Sequence, residues 1–370
     1  MSTSDNVRFA VVGLGHIAQV AVLPGFAHAE AAQPVALFSS DAAKRRAMSA
    51  QYGVDHAYDY DEYDRVLEQG LVDAVYIALP NHLHCTYAVR AAERGVHVLV
   101  EKPMAVDATE CLAMIEAAEA GGVKLMVAYR LHFDPANLEV IELVRRGRLG
   151  RPRLFSSVFS QVVVPGNVRL VGSDRGGGPV YDMGVYCINA ARYVFRDEPT
   201  QVVALAASVD DPRFQGVPEM VSATLHFPGE RLATFTCSFG AADSSRYEIL
   251  GDRGRLVMEP AFEYAEGLRY ALQVQDADPE VHRFGKHDQF GAELQYFSKC
   301  ILDDLAIEPD GLEGLADVNV VQAIHRSAQE RRAIAVLPVQ RERRPEHAQA
   351  YQLPPVPKPK TVNTRSPSGD

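Results

Sequence analysis

Short, unbroken apolar runs alternate with longer amphipathic segments between residue 7 and about residue 128. The apolar runs have the length and the Val, Ile and Leu content of strands that are buried on both faces of a parallel sheet. The segments between them have helical composition, and Asp41 and Asp107 stand where helix N-caps are expected. Strand–helix alternation of this kind predicts a doubly wound α/β domain. The predicted strands are VRFAVVGLG, PVALFSS, VDAVYIALP, VHVLVEKP and KLMVAYR.

The pattern changes after about residue 150, where predicted strands follow one another and turn residues separate some of them. A succession of this kind indicates a largely antiparallel open sheet. Its strands are RLFSSVFSQVV, QVVALAASV, MVSATLHF, RLATFTCSF and RLVMEP. Helices are predicted over residues 135–146, 179–195, 288–304 and 312–332. From residue 341 the sequence is charged and then proline-rich, which is typical of an extended tail rather than of a domain.

The loop after the first predicted strand carries the sequence GLGHIA, in which Gly13, Gly15 and Ala18 match the pattern G-x-G-x-x-G/A. The first glycine permits a tight turn, the second lets a pyrophosphate approach the backbone, and the small third residue lets the helix pack on the strand. The start of the helix, with His16 and Ile17, then faces the anion. The strand–turn–helix context is the one that the motif requires. We therefore expect Gly13, Gly15, His16 and Ile17 to bind a dinucleotide.

These patterns fix the expected fold class and its boundaries. The class is α/β, with an N-terminal Rossmann dinucleotide-binding domain over residues 1–128. An α+β domain with a largely antiparallel open sheet follows over residues 129–340, and we expect it to bind the substrate and to mediate oligomerisation. Residues 341–370 form the proline-rich tail.

The identity of the dinucleotide depends on the end of the second strand. An NAD enzyme usually has Asp or Glu there to bind the ribose 2′-hydroxyl. This chain has Ser39 and Ser40, followed by Asp41 and the cations Lys44 to Arg46. Serine hydroxyls and nearby cations suit a 2′-phosphate, so NADP is the preferred cofactor. Two alternatives stay open: Asp41 could bind the ribose of NAD, and the cations could merely solvate a helix face.

Composition and charge narrow the function classes. The net charge of −11 argues against a nucleic-acid partner or an anionic membrane, because phosphate binding needs clustered cations. No apolar run is long enough to span a bilayer, and the N-terminus lacks the basic and apolar regions of a secretory signal. The five cysteines are dispersed and show no CxxC spacing, which predicts a reduced, cytoplasmic protein without disulfides. No metal site is predicted, since no His, Asp and Glu cluster has ligand spacing.

Three motifs that each end a successive strand carry a family resemblance: GLGHIA, LPNHLH (79–84) and EKP (101–103). With them the chain resembles the Gfo/Idh/MocA family of oxidoreductases and is closest in motif to the glucose–fructose oxidoreductase branch. The resemblance extends over nearly the whole chain. It continues through YRLHFDPANLEVIELVRRGRLG, GGGPVYDMGVYCIN, DQFGAELQYFSKCI and EGLADVNVVQAIHRSAQERR.

The resemblance assigns roles to particular residues. Lys102, the lysine of the family's E-K-P motif, would reach from the carboxyl edge of the sheet to the nicotinamide and the substrate. Glu101 would orient it, and Pro103, often cis in the family, would fix the turn. The family's second signature, D-x-G-x-H-x-x-D, corresponds here to Asp182, Tyr186 and Asn189, with Tyr and Asn replacing the usual His and Asp. Spacings of four and seven residues predict that these three side chains share one helical face.

The chemistry of the proposed reaction explains the choice of Lys102 and Tyr186. Oxidation of a carbinol removes a hydride from carbon and a proton from oxygen, so a base must face the hydroxyl. The ordinary pKa of tyrosine is about 10 and that of lysine about 10.4, so neither is a good base alone at neutral pH. Lys102 beside Tyr186 would favour the tyrosinate. The hypothesis is that Tyr186 transfers the proton, Lys102 binds the reacting oxygen and Asp182 holds a neighbouring hydroxyl.

The resemblance implies further contacts. Leu79, Pro80, Asn81 and His84 would lie in the loop beside the cofactor, although His84 could equally cap or pack. Arg130 and His132, just past the last strand of the first domain, would reach the substrate, and Arg130 would also contact the cofactor. Arg169 would bind a sugar hydroxyl or form a salt bridge. Asn189 would bind substrate.

The sequence therefore predicts an NADP-dependent oxidoreductase, with NAD as the alternative cofactor, that acts on the carbinol or carbonyl carbon of a sugar or polyol. Two other functions stay open: a non-catalytic regulator that senses dinucleotide or sugar, and an NAD-assisted glycosidase. The resemblance also implies a homodimer or homotetramer that assembles through the second sheet.

Overall fold

The structure, a computed structural model, describes residues 6–369 and divides them into two compact units. The first unit contains residues 6–130, 287–314 and 351–366, and the second contains residues 131–286, 315–350 and 367–369. Two domains were predicted, but the second was expected to run unbroken from 129 to 340. Instead the chain returns to the first unit at residue 287. The reason is packing: Phe297 of the returning segment lies 6.2 Å from Phe9 in the first strand, ring centroid to ring centroid.

The secondary structure in chain order sets the labels used below. The strands are β1 (Val7–Val12), β2 (Ala32–Phe38), β3 (His56–Tyr58), β4 (Ala74–Ile77), β5 (His97–Glu101), β6 (Leu125–Ala128), β7 (Pro152–Ser160), β8 (Gln201–Ala207), β9 (Met220–Phe227), β10 (Arg231–Ser238), β11 (Ser244–Gly251), β12 (Gly254–Met258), β13 (Arg269–Val274), β14 (Glu280–Arg283) and β15 (Ile334–Ala335). The helices are α1 (Leu23–Gly25), α2 (Ala42–Tyr52), α3 (Tyr63–Glu68), α4 (His84–Ala92), α5 (Ala108–Ala120), α6 (Pro135–Arg145), α7 (Val185–Phe195), α8 (Gln289–Leu302) and α9 (Gly311–Glu330).

The first unit is built on a six-stranded, entirely parallel sheet in the order β3-β2-β1-β4-β5-β6. Strands β4 and β6 are buried throughout, which explains their unbroken apolar sequences. This strand order is that of dinucleotide-binding folds, in which ligands bind outside the carboxyl ends of the strands where the order reverses. The carboxyl ends of β1, β2, β4 and β5 are therefore the edge at which a functional site is expected, and the predicted Rossmann domain is confirmed.

The second unit contains a nine-stranded sheet in the order β14-β13-β12-β11-β7-β10-β9-β8-β15. Only the pair β7 and β10 is parallel in this sheet, so the prediction of a largely antiparallel sheet is confirmed. Residues of α6, α7 and α9 join the strands in one apolar core. The outward positions of the central strands alternate with the buried ones, as in β7, whose Phe155 is buried while Leu154 is exposed.

The tail has neither helix nor strand between residues 351 and 361, as expected. Its partly buried residues include every third position from 353 to 362, namely Leu353, Val356, Pro359 and Val362. A period of three is that of a polyproline II helix, which needs no internal hydrogen bonds and suits the proline content of this segment. The tail therefore packs one side against the first unit rather than projecting from it.

Among the helices of residues 6–369, none is both long enough and apolar enough to span a bilayer.

Candidate active site

The loop after β1 is shaped by its two glycines, which serve different purposes. Gly13 has φ +102°, and a Cβ placed there would lie 2.5 Å from the carbonyl oxygen of Ala78. Its backbone N–H donates to the carbonyl of Phe38 at 3.0 Å. A Cβ on Gly15 would meet no atom of the described residues within 4 Å. The fold thus requires Gly13, while Gly15 leaves open space at the start of the following helix. This space fits the pyrophosphate of a dinucleotide.

This difference predicts contrasting variants. Gly15→Ala should fold normally, because the added methyl meets open space, but it should weaken NADP binding by about tenfold or more because the methyl takes the room of the pyrophosphate. Gly13→Ala should lower the Tm, since the methyl meets the Ala78 carbonyl in a left-handed backbone conformation. Thermal unfolding and NADP titration calorimetry measure both effects. Normal NADP affinity in Gly15→Ala would contradict the placement of the pyrophosphate.

At the end of β2, the side chain of Asp41 caps a helix. Its Oδ1 accepts hydrogen bonds from the backbone N–H groups of Ala43, at 2.8 Å, and Lys44, at 3.2 Å, at the start of α2. Ser39 is buried, and its Oγ accepts from the Asp41 N–H at 3.2 Å. Of the two roles considered for Asp41, the structure supports the helix cap.

The cations of α2 differ in their surroundings. The Arg45 guanidinium donates to the Ser39 carbonyl and, at 2.9 Å, to Asp59. Lys44 is partly exposed, and Ser40 and Arg46 are exposed. Arg45 is therefore held by its own unit, whereas Ser40 and Lys44 are accessible to a 2′-phosphate.

The loop after β4 contains Leu79, Pro80 and Asn81 and leads into α4 through a single 3₁₀ turn. His84, the first residue of α4, is fully buried. Its two ring nitrogens lie 2.9 Å from the Leu79 carbonyl oxygen and 3.0 Å from that of Pro103. The imidazole thus bridges the loops that follow β4 and β5. Of the readings considered, the structure supports a packing role, and direct contact with the cofactor stays a prediction.

The environment of His84 predicts a pH dependence of stability. Burial lowers its pKa from 6.5 to about 4. Between these two pH values the unfolded chain binds more protons than the folded chain. The contribution of His84 to the free energy of unfolding is therefore fully present above pH 6.5, and it falls by about 1.4 kcal/mol per pH unit as the pH drops toward 4. His84→Gln should be less stable near neutral pH but should lose stability less steeply in acid. Urea unfolding across this range tests it, with the exposed His347→Gln as control. Equal slopes in both variants would contradict it.

Lys102 directly follows β5, at the same edge of the sheet. Its backbone N–H donates to Glu101 Oε2 at 3.2 Å, and the Tyr76 hydroxyl donates to Glu101 Oε1 at 3.0 Å. Burial raises the pKa of the Glu101 carboxyl, an effect that the charge of Lys102 and the Tyr76 hydrogen bond oppose. The Lys102–Pro103 peptide bond is cis. Glu101 thus holds the backbone from which the lysine projects, in keeping with the orienting role expected of it.

Two residues of α8 extend this cluster and were not assigned from the sequence. Arg130 is buried, and its guanidinium donates to Oε1 of Gln289. Glu293, one turn further along α8, is fully buried, and burial together with the charge of Glu101 raises its pKa. The sequence does show a carboxyl, that of Glu293, between Ala292 and Leu294 in a helix that is largely buried. This pattern alone does not assign Glu293 to the site, because local periodicity does not indicate which part of the protein α8 packs against.

In the second unit, Asp182 lies in π-helical turns, Val180–Gly184, that lead into α7. Arg169 Nε donates to Asp182 Oδ2 at 2.7 Å, so Arg169 forms the salt bridge considered as an alternative to sugar binding. Tyr186, in the first turn of α7, is partly buried, and its ring centroid lies 5.6 Å from that of Phe159 and 5.9 Å from that of Phe262. Aromatic packing therefore holds the ring of Tyr186, and Asp182, whose pair with Arg169 is partly buried, belongs to the turns just before it in the chain.

Asn189 does not share the exposure of Asp182 and Tyr186. It is buried, its Oδ1 lies 2.7 Å from Nε2 of His132, and its Nδ2 donates to Asp317 at 3.0 Å. Asp317 also pairs with the fully buried Arg192 at 2.5 Å. Tyr186 and Asn189, three residues apart in the regular helix α7, lie on one side of that helix, whereas the π-helical turns that precede α7 change the register of Asp182 relative to them. Direct contact between Asn189 and a substrate stays a prediction, and the structure supports a packing role.

Models of two protein families match this chain. Residues 7–129 match the oxidoreductase family with an NAD-binding Rossmann fold, and residues 137–257 match the GFO/IDH/MocA C-terminal domain. Among known proteins, the NADP(+)-dependent D-xylose 1-dehydrogenase of Haloarcula marismortui is 32% identical over 89% of this chain and 92% of its own length.

Solved structures agree with these matches. The aldose-aldose oxidoreductase of Caulobacter crescentus, in complex with glycerol, superposes with a TM-score of 0.85 and is 35% identical; 90% of this chain and 100% of that one are covered. The 3-ketoreductase KijD10 of Actinomadura kijaniata, in complex with NADP and TDP-benzene, superposes with a TM-score of 0.79 and is 26% identical, covering 87% of this chain and 98% of its own. The alignment with the Caulobacter crescentus enzyme thus covers the whole of that relative but leaves part of this chain unaligned.

Proposed function

Because the chain belongs to the Gfo/Idh/MocA oxidoreductase family, it is a nicotinamide-dependent enzyme that acts on CH–OH groups, and we propose that its substrate is an aldose sugar. The observation that carries the proposal is the position of Lys102. It follows β5 at the sheet edge that also bears the open Gly13–Gly15 loop, and Glu101 holds its backbone. A sensing protein would not need a lysine, a tyrosine and a carboxylate suited to proton transfer.

The proposed roles of the protein groups follow from their chemistry. Bound nicotinamide supplies the acceptor or donor of hydride. The Lys102 ammonium binds the reacting oxygen of the sugar and stabilises negative charge that develops there. The Tyr186 phenolate takes the proton of the carbinol during oxidation, and the phenol returns it during reduction. Asp182, held by Arg169, accepts a hydrogen bond from a neighbouring sugar hydroxyl.

We propose NADP as the preferred cofactor. The use of Asp41 as a helix cap supports this choice, because a capping carboxylate is not free to accept both ribose hydroxyls. Ser39, Ser40 and Lys44 would then receive the 2′-phosphate. The remaining proposed cofactor contacts are Gly13, Gly15, His16, Ile17, Leu79, Pro80, Asn81, His84, Glu101, Lys102 and Arg130. The proposed substrate contacts are Lys102, Arg169, Asp182, Tyr186 and Asn189.

An absorbance assay of the reduced nicotinamide tests the function. The protein is incubated with NADP or NAD and a panel of aldoses, first singly and then in pairs. Net reduction of NADP by one aldose supports a dehydrogenase, whereas transfer that appears only with two sugars supports coupled exchange on a retained cofactor. Tight dinucleotide binding with no turnover of any aldose would overturn the proposal in favour of a sensor. Glycoside cleavage without net reduction would favour the NAD-assisted glycosidase.

We also propose that the protein forms a homodimer or homotetramer through the outer face of its second sheet. Five large apolar side chains are exposed on three strands of this face, β7, β10 and β8: Leu154, Val158, Leu232, Val203 and Leu205. Leu154 and Leu232 are paired across β7 and β10. Clustered apolar exposure of this kind is typical of an interface. A monomeric mass in sedimentation velocity would contradict the proposal.

We further propose a cytoplasmic location, which the dispersed cysteines without CxxC spacing support. Fractionation of the cells of origin tests this.

A further inference from the structure

The end of the tail contacts the turn that follows the phosphate loop, through one buried glutamine. Gln19 is fully buried, and its carboxamide makes a two-way connection with the backbone of Val362. Its Oε1 accepts from the Val362 N–H at 2.8 Å, and its Nε2 donates to the Val362 carbonyl at 3.0 Å. The same Nε2 also donates, at 2.9 Å, to the carbonyl of Leu14, between the two glycines. The side chain of Gln19 thus connects the phosphate loop to the tail through hydrogen bonds.

The next tail residue contacts the end of β2. Asn363 Nδ2 donates to Asp41 Oδ2 at 2.8 Å, on the oxygen that does not cap α2. In a fold with this strand order, the adenosine ribose binds at the end of the second strand and the pyrophosphate binds at the loop after the first. Val362 and Asn363 therefore connect the two places that hold the adenosine half of a dinucleotide.

The tail leaves the pyrophosphate space itself open. No atom of residues 6–369 lies within 4 Å of a Cβ placed on Gly15, so the described part of the tail lies beside this space and does not fill it. Further back, the tail is anchored by the Asp288 N–H, which donates to the Leu353 carbonyl at 3.2 Å, and by Lys299, whose Nζ lies 5.5 Å from the Tyr351 ring centroid. Four prolines between residues 353 and 360 restrict the intervening backbone, which lowers the entropy lost on docking.

From these contacts we propose that Val362 and Asn363 form a latch over the adenosine half of the dinucleotide site, which slows the release of bound NADP. The inference rests on the proposed function only in that the chain binds a dinucleotide. Gln19 is the positioning residue that joins the latch to the phosphate loop. A dinucleotide leaving the site must displace residues 362 and 363, so the rate of release, rather than the rate of chemistry, depends on the tail.

The release rate of NADPH tests the latch. The protein is loaded with NADPH, excess NADP is added, and the loss of bound NADPH fluorescence is followed by stopped flow. The double variant Val362→Pro and Asn363→Ala removes the donors to Gln19 and Asp41. It should release NADPH about tenfold faster or more, which corresponds to about 1.4 kcal/mol. Lys360→Ala, at an exposed tail position, is the matched control and should leave the rate unchanged.

Proteolysis supplies a readout that does not depend on activity. Trypsin can cleave after Lys360 and Arg365, which are exposed, whereas Lys358 precedes a proline. NADP should slow these cleavages in the wild-type protein and should slow them less in the double variant.

Three outcomes would overturn the latch: unchanged release from the double variant, tighter NADP binding by that variant, or no binding of NADPH at all. The last would also overturn the proposed function. Slow release without turnover of any sugar would overturn the function but support the latch.

Discussion

Replacement of Lys102 by alanine is expected to lower kcat for aldose oxidation by about a thousandfold while changing the Kd of NADP only slightly. The ammonium stabilises the oxygen of the reacting carbinol as its proton leaves, and this interaction is stronger in the transition state than in the ground state. Most of the proposed dinucleotide contacts lie in the Gly13–Gly15 loop and at the end of β2, which the substitution does not touch, so the loss of the contact from Lys102 should have only a small effect on Kd. Steady-state kinetics and NADP titration measure the two quantities.

Lys124→Ala is the matched control for this variant. Lys124 belongs to the same unit, but its Nζ pairs at 2.9 Å with the exposed Asp304, which follows the C-terminal end of α8. Loss of such a pair should change stability by less than about 1 kcal/mol and leave kcat unchanged. Wild-type turnover in Lys102→Ala would remove the lysine from the chemistry. A comparable fall in both variants would indicate a general loss of folded enzyme instead.

The elements that carry the dinucleotide loop could be predicted because their sequences satisfy several physical requirements at once. β1, β4 and β5 each contain a run of at least three consecutive buried apolar residues, and polar or glycine residues follow where each run ends. Strand β3 was missed because it has only three residues, none of them fully buried. Strand β11 was missed for a related reason: its pattern mixes Arg246 and Glu248 with apolar residues, and only Tyr247 and Ile249 are buried.

Contacts between distant parts of the chain could not be predicted from local patterns. The hydrogen bonds from Gln19 to Val362 join residues that are 343 positions apart. The sequence shows a glutamine in a helix and a valine in a proline-rich tail, and neither residue indicates the other. Helix α8 illustrates the same limit: its amphipathic pattern predicts a helix but not the unit against which the helix packs. Glu293 becomes informative only when Glu101 and Arg130 are known to lie near it.

Replacement of Tyr186 by phenylalanine is expected to lower kcat by about a hundredfold to ten-thousandfold, the range found for loss of a general acid or base. The variant should fold normally, because the ring contacts with Phe159 and Phe262 do not involve the hydroxyl. The remaining activity should also lose the pH dependence that proton transfer through this hydroxyl imposes. The pH profile of kcat/KM and the Tm are the two measurements.

Tyr193→Phe is the matched control, since it removes a tyrosine hydroxyl from the same helix. The Tyr193 hydroxyl is buried and donates to Asn137 Oδ1 at 2.7 Å, so its loss should cost about 1 kcal/mol of stability and leave an unpaired amide oxygen. Turnover at saturating substrate should stay close to the wild-type value. Tyr186→Phe is thus expected to lower kcat without lowering stability, whereas Tyr193→Phe is expected to lower stability without lowering kcat. The reverse pattern would mean that the proton passes through another group, and Tyr186 would then be a packing residue.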